Sequence, residues 1–300
     1  PTQVPTYDIN LGVTGIEATP NSSACPMSYP KPPPLPGKKG AAFTLRMEGQ
    51  RGSWTENLPK VIALNPYWNY NWGLTTVDAQ PDGIEFVPMV WGAWNEENLK
   101  ETLQTKLLPQ IESGKVKRLL GYNEPDSPKQ ANMNVERAQQ FWPQLEAMNV
   151  PLISPSCAAP GRSWMEEFMN STSCMRLDWV GVHWYEGANF ASFARSMSLL
   201  REKYQRPLLV TEFAPADWNA ATPEENLWSP EQVLAFMKKA LPWMEAQEWI
   251  AGYAWFSFSA SSAAGTSSAL FNADGSLTAL GRFYASVTTE NPEGDQSISL

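Results

Sequence analysis

The segment RLLGYNEPDSPKQANMNVERAQQFWPQLEAMNVPLISP (residues 118–155) contains the repeating unit that decides the fold. It begins with a short apolar run, RLLGY, and it ends with another, PLISP. Between them lies NVERAQQFWPQLEAMN (134–149), whose apolar residues recur every three or four positions after an Asn that can cap a helix. A strand, a helix and a second strand in this order predict a parallel βαβ unit.

The same alternation recurs along most of the chain. Helical patterns also occupy residues 95–114 and 229–248, which begin with Asn and Ser caps. The apolar runs are AAFTL (41–45), VIALN (61–65), EFVPMV (85–90), RLLGY (118–122), PLISP (151–155), WVGVHW (179–184), PLLVTEF (207–213) and IAGYAWF (250–256). Eight strands buried on both faces and alternating with helices predict an α/β fold of the (β/α)8 TIM barrel type. A doubly wound open sheet is the alternative, but no glycine-rich phosphate loop follows the first run.

The predicted barrel spans residues 38–290. Residues 1–37 are rich in Pro, Ser, Thr and Asn and end in KPPPLPG, so we expect an extended arm that lies on the surface. Residues 291–300 form a C-terminal tail. Because the sequence begins at Pro1 rather than Met, we expect a processed or trimmed chain. We also expect the protein to be secreted or associated with a cell wall.

The composition favours a neutral partner. A formal net charge of -9 makes nucleic acids and acidic membranes poor partners, because both would be approached against a repulsive field. No apolar run is long enough to span a membrane, and we expect a monomer without cofactors. The 14 tryptophans suit a protein that stacks aromatic rings on the flat apolar faces of sugars.

The three cysteines predict one disulfide and one free thiol. They show no CxxC spacing, which argues against a zinc site. Cys157 follows the fifth strand, whereas Cys174 precedes the sixth, at the opposite end of the barrel. We therefore expect Cys25, in the arm, to pair with Cys174 and Cys157 to stay free.

The carboxyl ends of the strands carry the candidate chemistry, because active sites of this fold are built there. Aromatic residues and amides dominate these ends, and two acids, Glu124 and Glu212, end strands four and seven. The strand ends read NPYWNYNWG (65–73), VWGAW (90–94), GYNEPD (121–126), HWYEG (183–187), TEFAP (211–215) and WFSFS (255–259). Neutral hydrogen-bonding groups, aromatic faces and two carboxylates are typical of a glycoside hydrolase.

Two acids suit the cleavage of a glycosidic bond for a direct reason. One carboxyl group must deliver a proton to the leaving oxygen, while an ionised carboxylate meets the charge that develops at the anomeric carbon. Strands four and seven lie roughly opposite each other in an eight-stranded barrel. Glu124 and Glu212 are therefore expected to face each other about 5 Å apart, the separation of retaining enzymes.

Three motifs together resemble glycoside hydrolase family 128, the fungal and bacterial endo-β-1,3-glucanases with an Asl1-like catalytic domain. They are GYNEPD (121–126), DWVGVHWY (178–185) and LLVTEFA (208–214), and the likeness extends from about Asn65 to Trp255. The resemblance implies a retaining endo-β-1,3-glucanase that needs no metal or other cofactor and acts on β-1,3-glucan.

The resemblance also implies roles for individual residues. Glu124 would be the general acid/base and Glu212 the nucleophile. Asn123 would hydrogen-bond the sugar 2-hydroxyl at the cleavage subsite, and Tyr185 would hold the nucleophile ionised and oriented. His183 would either support the nucleophile or contact the substrate. Further candidate sugar contacts are the stacking residues Trp68, Trp72, Trp91, Trp184 and Trp255 and the hydroxyl-binding residues Asn69 and Asn71.

Two other functions are compatible with the sequence. A related retaining glycosidase would act on another β-linked glucan or on mannan by the same chemistry. A non-catalytic glycan-binding barrel would keep the aromatic platform and use its acids as hydroxyl acceptors. The pairing of both carboxylates with Asn123 and Tyr185 favours the enzyme, because a binding protein has no need for that combination.

Overall fold

The computed structural model describes residues 29–44, 52–76, 80–171 and 174–300. Within these ranges, short buried strands alternate with helices along the chain. The strands are β1 (Lys39–Ala42), β2 (Trp68–Tyr70), β3 (Glu85–Phe86), β4 (Leu119–Leu120), β5 (Leu152–Ile153), β6 (Val180–Trp184), β7 (Leu208–Phe213) and β8 (Ile250–Trp255).

The strands form a closed ring of parallel neighbours. Six of them make one sheet in the order β3-β2-β1-β8-β7-β6, and β4 pairs with β5. A parallel bridge between Met89 and Leu120 joins the chain after β3 to β4, and a second one between Ile153 and Trp179 joins β5 to the start of β6. The predicted (β/α)8 TIM barrel is confirmed.

The helices surround this ring. They are α1 (Trp54–Ala63), α2 (Glu96–Thr102), α3 (Leu108–Glu112), α4 (Val135–Glu146), α5 (Ser163–Ser171), α6 (Phe190–Tyr204), α7 (Pro230–Ala246) and α8 (Ala279–Ser286). The predicted caps Asn95, Asn134 and Ser229 each accept a hydrogen bond from a backbone N–H in the first turn of the helix that follows. In the described ranges, none of the helices combines the length and the apolar character that crossing a membrane requires.

One predicted strand is wrong. VIALN (61–65) contains the end of α1 and the turn after it, whereas β2 is Trp68–Tyr70. Ser53 caps α1 by accepting a hydrogen bond from the Glu56 N–H, and the helix continues through the apolar run with Val61 buried and Ile62 52% exposed. A short apolar run has the composition of a strand or of a helix end, and here the cap and the helical hydrogen bonds decide.

The amino end of the barrel is closed by the last residues of the arm. Arg118, which precedes β4, donates to the Glu85 carboxylate at 2.5 Å and to the backbone oxygens of Pro33 at 2.9 Å and Pro34 at 3.2 Å. Leu35 is buried in the cluster that fills the barrel interior. The described part of the arm, residues 29–37, is therefore packed against the end of the barrel opposite to the candidate site.

Two cysteines lie in the described part of the chain. Cys174 is disulfide-bonded, and Cys157 carries a buried free thiol. The free thiol of Cys157 is thereby confirmed. Cys25, the predicted partner of Cys174, lies outside the described residues.

Lys39 is a buried cation in β1. Its ammonium group donates to the backbone oxygens of Tyr284 and Ala285 at the end of α8, each at 3.0 Å. Burial lowers the pKa of Lys39 from 10.5 to about 7, because the charged form loses its hydration in the barrel wall. Folding therefore favours release of this proton above neutral pH.

This shift predicts a pH-dependent stability difference between the wild type and Lys39→Met. Between pH 7 and the unfolded pKa of 10.5, the unfolded chain binds a proton at Lys39 that the folded chain has released. The free energy of unfolding of the wild type should therefore rise relative to that of Lys39→Met by up to about 1.4 kcal/mol per pH unit in this window. Urea unfolding of both proteins measures it, and a difference that stays constant from pH 7 to 9 contradicts the burial of this charge.

Candidate active site

Glu124 stands on a tightly fixed loop after β4. It has a left-handed backbone with φ of 42°, and its N–H donates to the Ser156 oxygen at 2.7 Å. Two residues later, the Asp126 carboxylate accepts hydrogen bonds from the N–H groups of Ala158 and Ala159, both at 2.9 Å. The NEPD motif thus ties the loop after β4 to the loop after β5 and fixes the direction of the Glu124 side chain.

Glu212 lies near the end of β7 and is 5% exposed. Its Oε1 atom accepts from the Tyr70 hydroxyl at 3.1 Å and from the Trp72 indole N–H at 2.8 Å. The Tyr185 hydroxyl donates to Oε2. Three protein donors therefore compensate for the water that this buried carboxylate has lost.

Both tyrosines remain protonated donors at neutral pH. Burial, followed by the charge of Glu212, raises the pKa of Tyr70 and of Tyr185 well above the usual value for tyrosine. The predicted contact between Tyr185 and Glu212 is present in the structure.

His183 lies between the two acids. Its Nδ1 atom is 2.9 Å from Glu124 Oε1, and its Nε2 atom is 3.4 Å from Glu212 Oε1. Burial alone would lower the pKa of His183, but the Glu212 and Glu124 carboxylates outweigh this effect and raise the pKa above its usual value. The imidazole thus contacts Glu124 and lies close to Glu212, and its role as a support of the nucleophile or as a substrate contact stays a prediction.

The register of the sheet creates this arrangement. In the pairing of β6 with β7, Val182 lies opposite Val210, but His183 lies opposite Glu212 because Thr211 is skipped. Such a bulge redirects the side chains that follow it. As a result, the ligating atoms of Glu124, His183 and Glu212 lie within 4.8 Å of one another.

These three groups are also the set among the described residues that could hold a metal ion. Two carboxylates and one imidazole are suitable ligands for a divalent cation. Among these atoms, His183 Nδ1 contacts Glu124, whereas His183 Nε2 lies 3.4 Å from Glu212 and has no hydrogen-bond partner in the described part of the chain. The sequence-based prediction of a metal-independent site stays a prediction.

Two of the predicted hydroxyl-binding amides have unused hydrogen-bonding capacity. Asn123 is 4% exposed; its Nδ2 atom donates to Gln130, and its Oδ1 atom has no partner in the described part of the chain. Asn69 is fully buried in β2. Its Oδ1 atom accepts from Gln80 at 2.7 Å, and its Nδ2 atom has no partner among the described residues. Asn71 is partly exposed and accepts from the Gly73 N–H at 3.0 Å. A sugar hydroxyl would satisfy the free oxygen of Asn123.

An open cleft of about 830 Å³ lies on the loops after β2 and β3, and neither Glu124 nor Glu212 is among the residues that line it. Trp72, which donates to Glu212, lines it together with Trp91 and the 54% exposed Trp94. Leu74, Thr75, Asn95 and Asn98 also line it. Trp72 and Trp91 were predicted to face sugar, and a sugar contact for either of them stays a prediction.

The other three predicted stacking residues lie in the core, and their expected place at the carboxyl end of the barrel is corrected. Trp68 fills the barrel interior over Gly40, where a Cβ atom would lie 2.3 Å from the indole, and it donates to the Lys38 oxygen. Trp184 stacks on Phe236 in the layer between strands and helices. Trp255 is 1% exposed and occupies the same layer. Side chains alternate between the two faces of each strand, so an aromatic residue near a strand end faces the ligand only at every second position.

Sequence reasoning missed Tyr70, Asp126, Trp94 and Trp218. Tyr70 was overlooked because the second strand was placed seven residues too early, so that Tyr70 was assigned to a loop. With β2 correctly placed, Tyr70 shares the inner face with Trp68 and points to Glu212. Trp94 and Trp218 are 54% and 63% exposed in loops, and exposure of this kind has no sequence signal.

The model of the family described as "Glycosyl hydrolase catalytic core" matches residues 46–284. The chain belongs to this glycosyl hydrolase family. A curated relative is alkali-sensitive linkage protein 1 of Schizosaccharomyces pombe, which is 28% identical over 177 residues. That match covers 56% of this chain and 32% of the relative, so the glycosyl hydrolase spans about a third of its length.

Solved structures of family 128 share the fold. An endo-β-1,3-glucanase of Amycolatopsis mediterranei, determined with laminarihexaose, aligns with a TM-score of 0.68 and 26% identity over 84% of this chain and 100% of its own. An exo-β-1,3-glucanase of Aureobasidium namibiae aligns with a TM-score of 0.64 and 22% identity over 89% and 99%. The resemblance of this glycosyl hydrolase to family 128 is confirmed.

His183 offers a direct test of the site, because it is the single histidine of the chain and gives one imidazole signal in NMR spectra. Its pKa should lie above 6.5 in the wild type and fall in Glu212→Gln, which keeps the side-chain shape and removes the charge. Glu186→Gln, a change at a nearby acid outside these contacts, is the control. Because the folded pKa is raised, the stability that His183 contributes is complete below pH 6.5 and is lost as the pH rises through the folded value. An equal pKa in all three proteins contradicts the coupling.

Proposed function

We propose that this glycoside hydrolase is a retaining endo-β-1,3-glucanase, in which Glu212 is the nucleophile and Glu124 the general acid/base. The observation that carries the proposal is the approach of two carboxylates from β4 and β7 to within 4.8 Å at the carboxyl end of the barrel. Inverting enzymes need a larger gap, about 6.5–9.5 Å, to accommodate a water molecule between substrate and base. The close approach supports double displacement.

The surroundings of each acid fit its proposed role. Glu212 accepts three hydrogen bonds, which orient its carboxylate for attack on the anomeric carbon. In the described residues, the Glu124 carboxylate accepts from no tyrosine hydroxyl or indole N–H. Its partner is His183 Nδ1. A proton held between Glu124 and this nitrogen can pass to the leaving oxygen in the first step.

The second step uses the same groups in reverse. Once Glu212 is bound to the sugar its negative charge is gone, and Glu124, having lost its proton to the leaving group, is ionised. Glu124 can then take a proton from the water that attacks the glycosyl-enzyme. The unpaired Oδ1 atom of Asn123, the residue next to Glu124, is placed to accept a hydrogen bond from a sugar hydroxyl.

The β-1,3-glucan preference and the endo mode rest on two supports. The relative that is 26% identical is an endo-β-1,3-glucanase observed with laminarihexaose. In this chain, an open cleft lined by Trp72, Trp91 and Trp94 begins at the indole that donates to Glu212, and an open cleft suits a long sugar chain.

The two carboxylates should respond differently to removal. Glu212→Ala should abolish turnover on laminarin and on aryl glycosides, because no covalent intermediate can form. Glu124→Ala should still complete the first step on an aryl glycoside with a good leaving group and should then stall for want of a base. Azide, which needs no base, should restore its turnover and give a glycosyl azide of retained configuration, as measured by product NMR.

Glu290→Ala is the matched control, since Glu290 is an exposed acid outside the site. A glycosyl azide of retained configuration from Glu212→Ala, together with an inverted one from Glu124→Ala, would show that the roles are reversed. Full activity of both variants would remove the reaction from these residues. Turnover should persist after dialysis against a chelator, and its loss would mean that Glu124, His183 and Glu212 hold a required metal.

The endo mode predicts a characteristic product pattern. Early digestion of laminarin should release a range of oligosaccharides, and the viscosity of a long β-1,3-glucan should fall well before reducing ends accumulate. Chromatography of a time course gives both quantities. Release of a single small product from the first minutes onward would instead show exo cleavage.

A further inference from the structure

The loop after β7 presents an exposed tryptophan close to the acids. Trp218 is 63% exposed, and its ring centroid lies 5.7 Å from that of Tyr185 and 5.9 Å from that of Phe258. Tyr185 in turn donates to Glu212. A single side chain therefore separates this indole from the proposed nucleophile.

The backbone around Trp218 is braced. The Asp217 carboxylate is buried and accepts from the N–H groups of Asn219 and Leu227, both at 3.1 Å. The Asp217 N–H donates to the Ala264 oxygen at 2.8 Å, which ties the loop after β7 to the loop after β8. A large apolar ring held in water on a fixed turn is the feature expected of a contact surface.

A continuous line of aromatic rings connects this indole with the cleft. Phe256 lies 6.2 Å from Trp72, which lines the cleft, and 5.5 Å from Tyr185, which contacts Trp218. Trp72 and Tyr185 both donate to Glu212. Glu212 therefore lies where two aromatic surfaces meet, one on the loops after β2 and β3 and the other on the loops after β7 and β8.

We propose that Trp218, supported by Tyr185 and Phe258, binds a glucosyl unit of the polysaccharide beyond the cleavage site. This surface lies on the loops after β7 and β8, apart from the cleft that Trp72, Trp91 and Trp94 line. This inference rests on the proposed function. An indole face packs against the C–H groups of a pyranose ring, and a neutral sugar is not repelled by an acidic protein. Because the contact is made away from the reacting bond, it selects which linkage of a bound chain lies over the two acids.

The test compares Trp218→Ala and Trp218→Phe on laminari-oligosaccharides that carry a label at the reducing end. Trp218→Ala should lower kcat/KM for laminarihexaose by about three- to tenfold and should change the distribution of cleaved linkages. Trp218→Phe keeps an aromatic face and should retain most of the wild-type pattern. The loss should shrink for oligosaccharides too short to reach both surfaces. A merely structural role would reduce all rates alike and leave the cleavage positions unchanged.

Ile62→Ala, at an exposed apolar residue on α1, is the control and should match the wild type. Suppose that the wild type hydrolyses laminarin and that Trp218→Ala has the same cleavage pattern and rate as Ile62→Ala at every chain length. Sugar binding by Trp218 is then refuted, while the proposed function stands. If the wild type neither cleaves nor binds laminarin, both fail. If Trp218→Ala does not fold, Trp218→Asn replaces it, with its folding checked by circular dichroism. An unchanged cleavage pattern in that variant also refutes sugar binding by Trp218.

Discussion

Two carboxylates within 4.8 Å of each other in a largely buried site repel strongly, and the rest of the structure serves to make that approach possible. His183 supplies the compensating group, since its two ring nitrogens face one acid each. The imidazole can do so because the skipped residue in β7 brings Glu212 level with His183. An irregularity of one residue in the strand pairing thus determines the electrostatics of the whole site.

The barrel supplies the fixed frame that such a site needs. The Glu212 carboxylate on β7 is contacted from β2 and from the chain after β6, and the loop that carries Glu124 is fastened to the chain after β5. A carboxylate contacted from separate strands cannot reorient unless the strands themselves move. The site is therefore prepared before a substrate arrives, which is the condition under which hydrogen bonds and dipoles stabilise a transition state best.

The fold and the two acids could be predicted from sequence because they depend on local signals. Alternating apolar runs and capped helices predict the barrel, and the NEPD and TEF motifs place Glu124 and Glu212 at strand ends. The failures concern where a residue lies on its strand. Trp184 and Trp255 have the right composition for a sugar platform, but they lie on the outer face of the barrel wall, against the helices. Trp68 lies on the inner face, but it precedes Tyr70 on the strand and fills the barrel interior. The exposure of Trp218 could not be predicted from the sequence, because it is set by the contacts of Asp217 and by a loop from another part of the chain.

Cys157 gives the site a built-in reporter of its own opening. Cys157 follows Ser156, whose backbone oxygen accepts from the Glu124 N–H, and the backbone of Cys157 forms a parallel bridge with Val182, the residue before His183. Burial, followed by the charges of Asp126 and Glu124, raises the pKa of this thiol well above its usual value, so it stays neutral and unreactive while the barrel is closed. The rate of Cys157 alkylation, measured by peptide mapping, would therefore report the local opening of the barrel between strands β5 and β6. This rate gives the frequency with which the strands that carry the site open, and an activity assay does not measure that frequency separately.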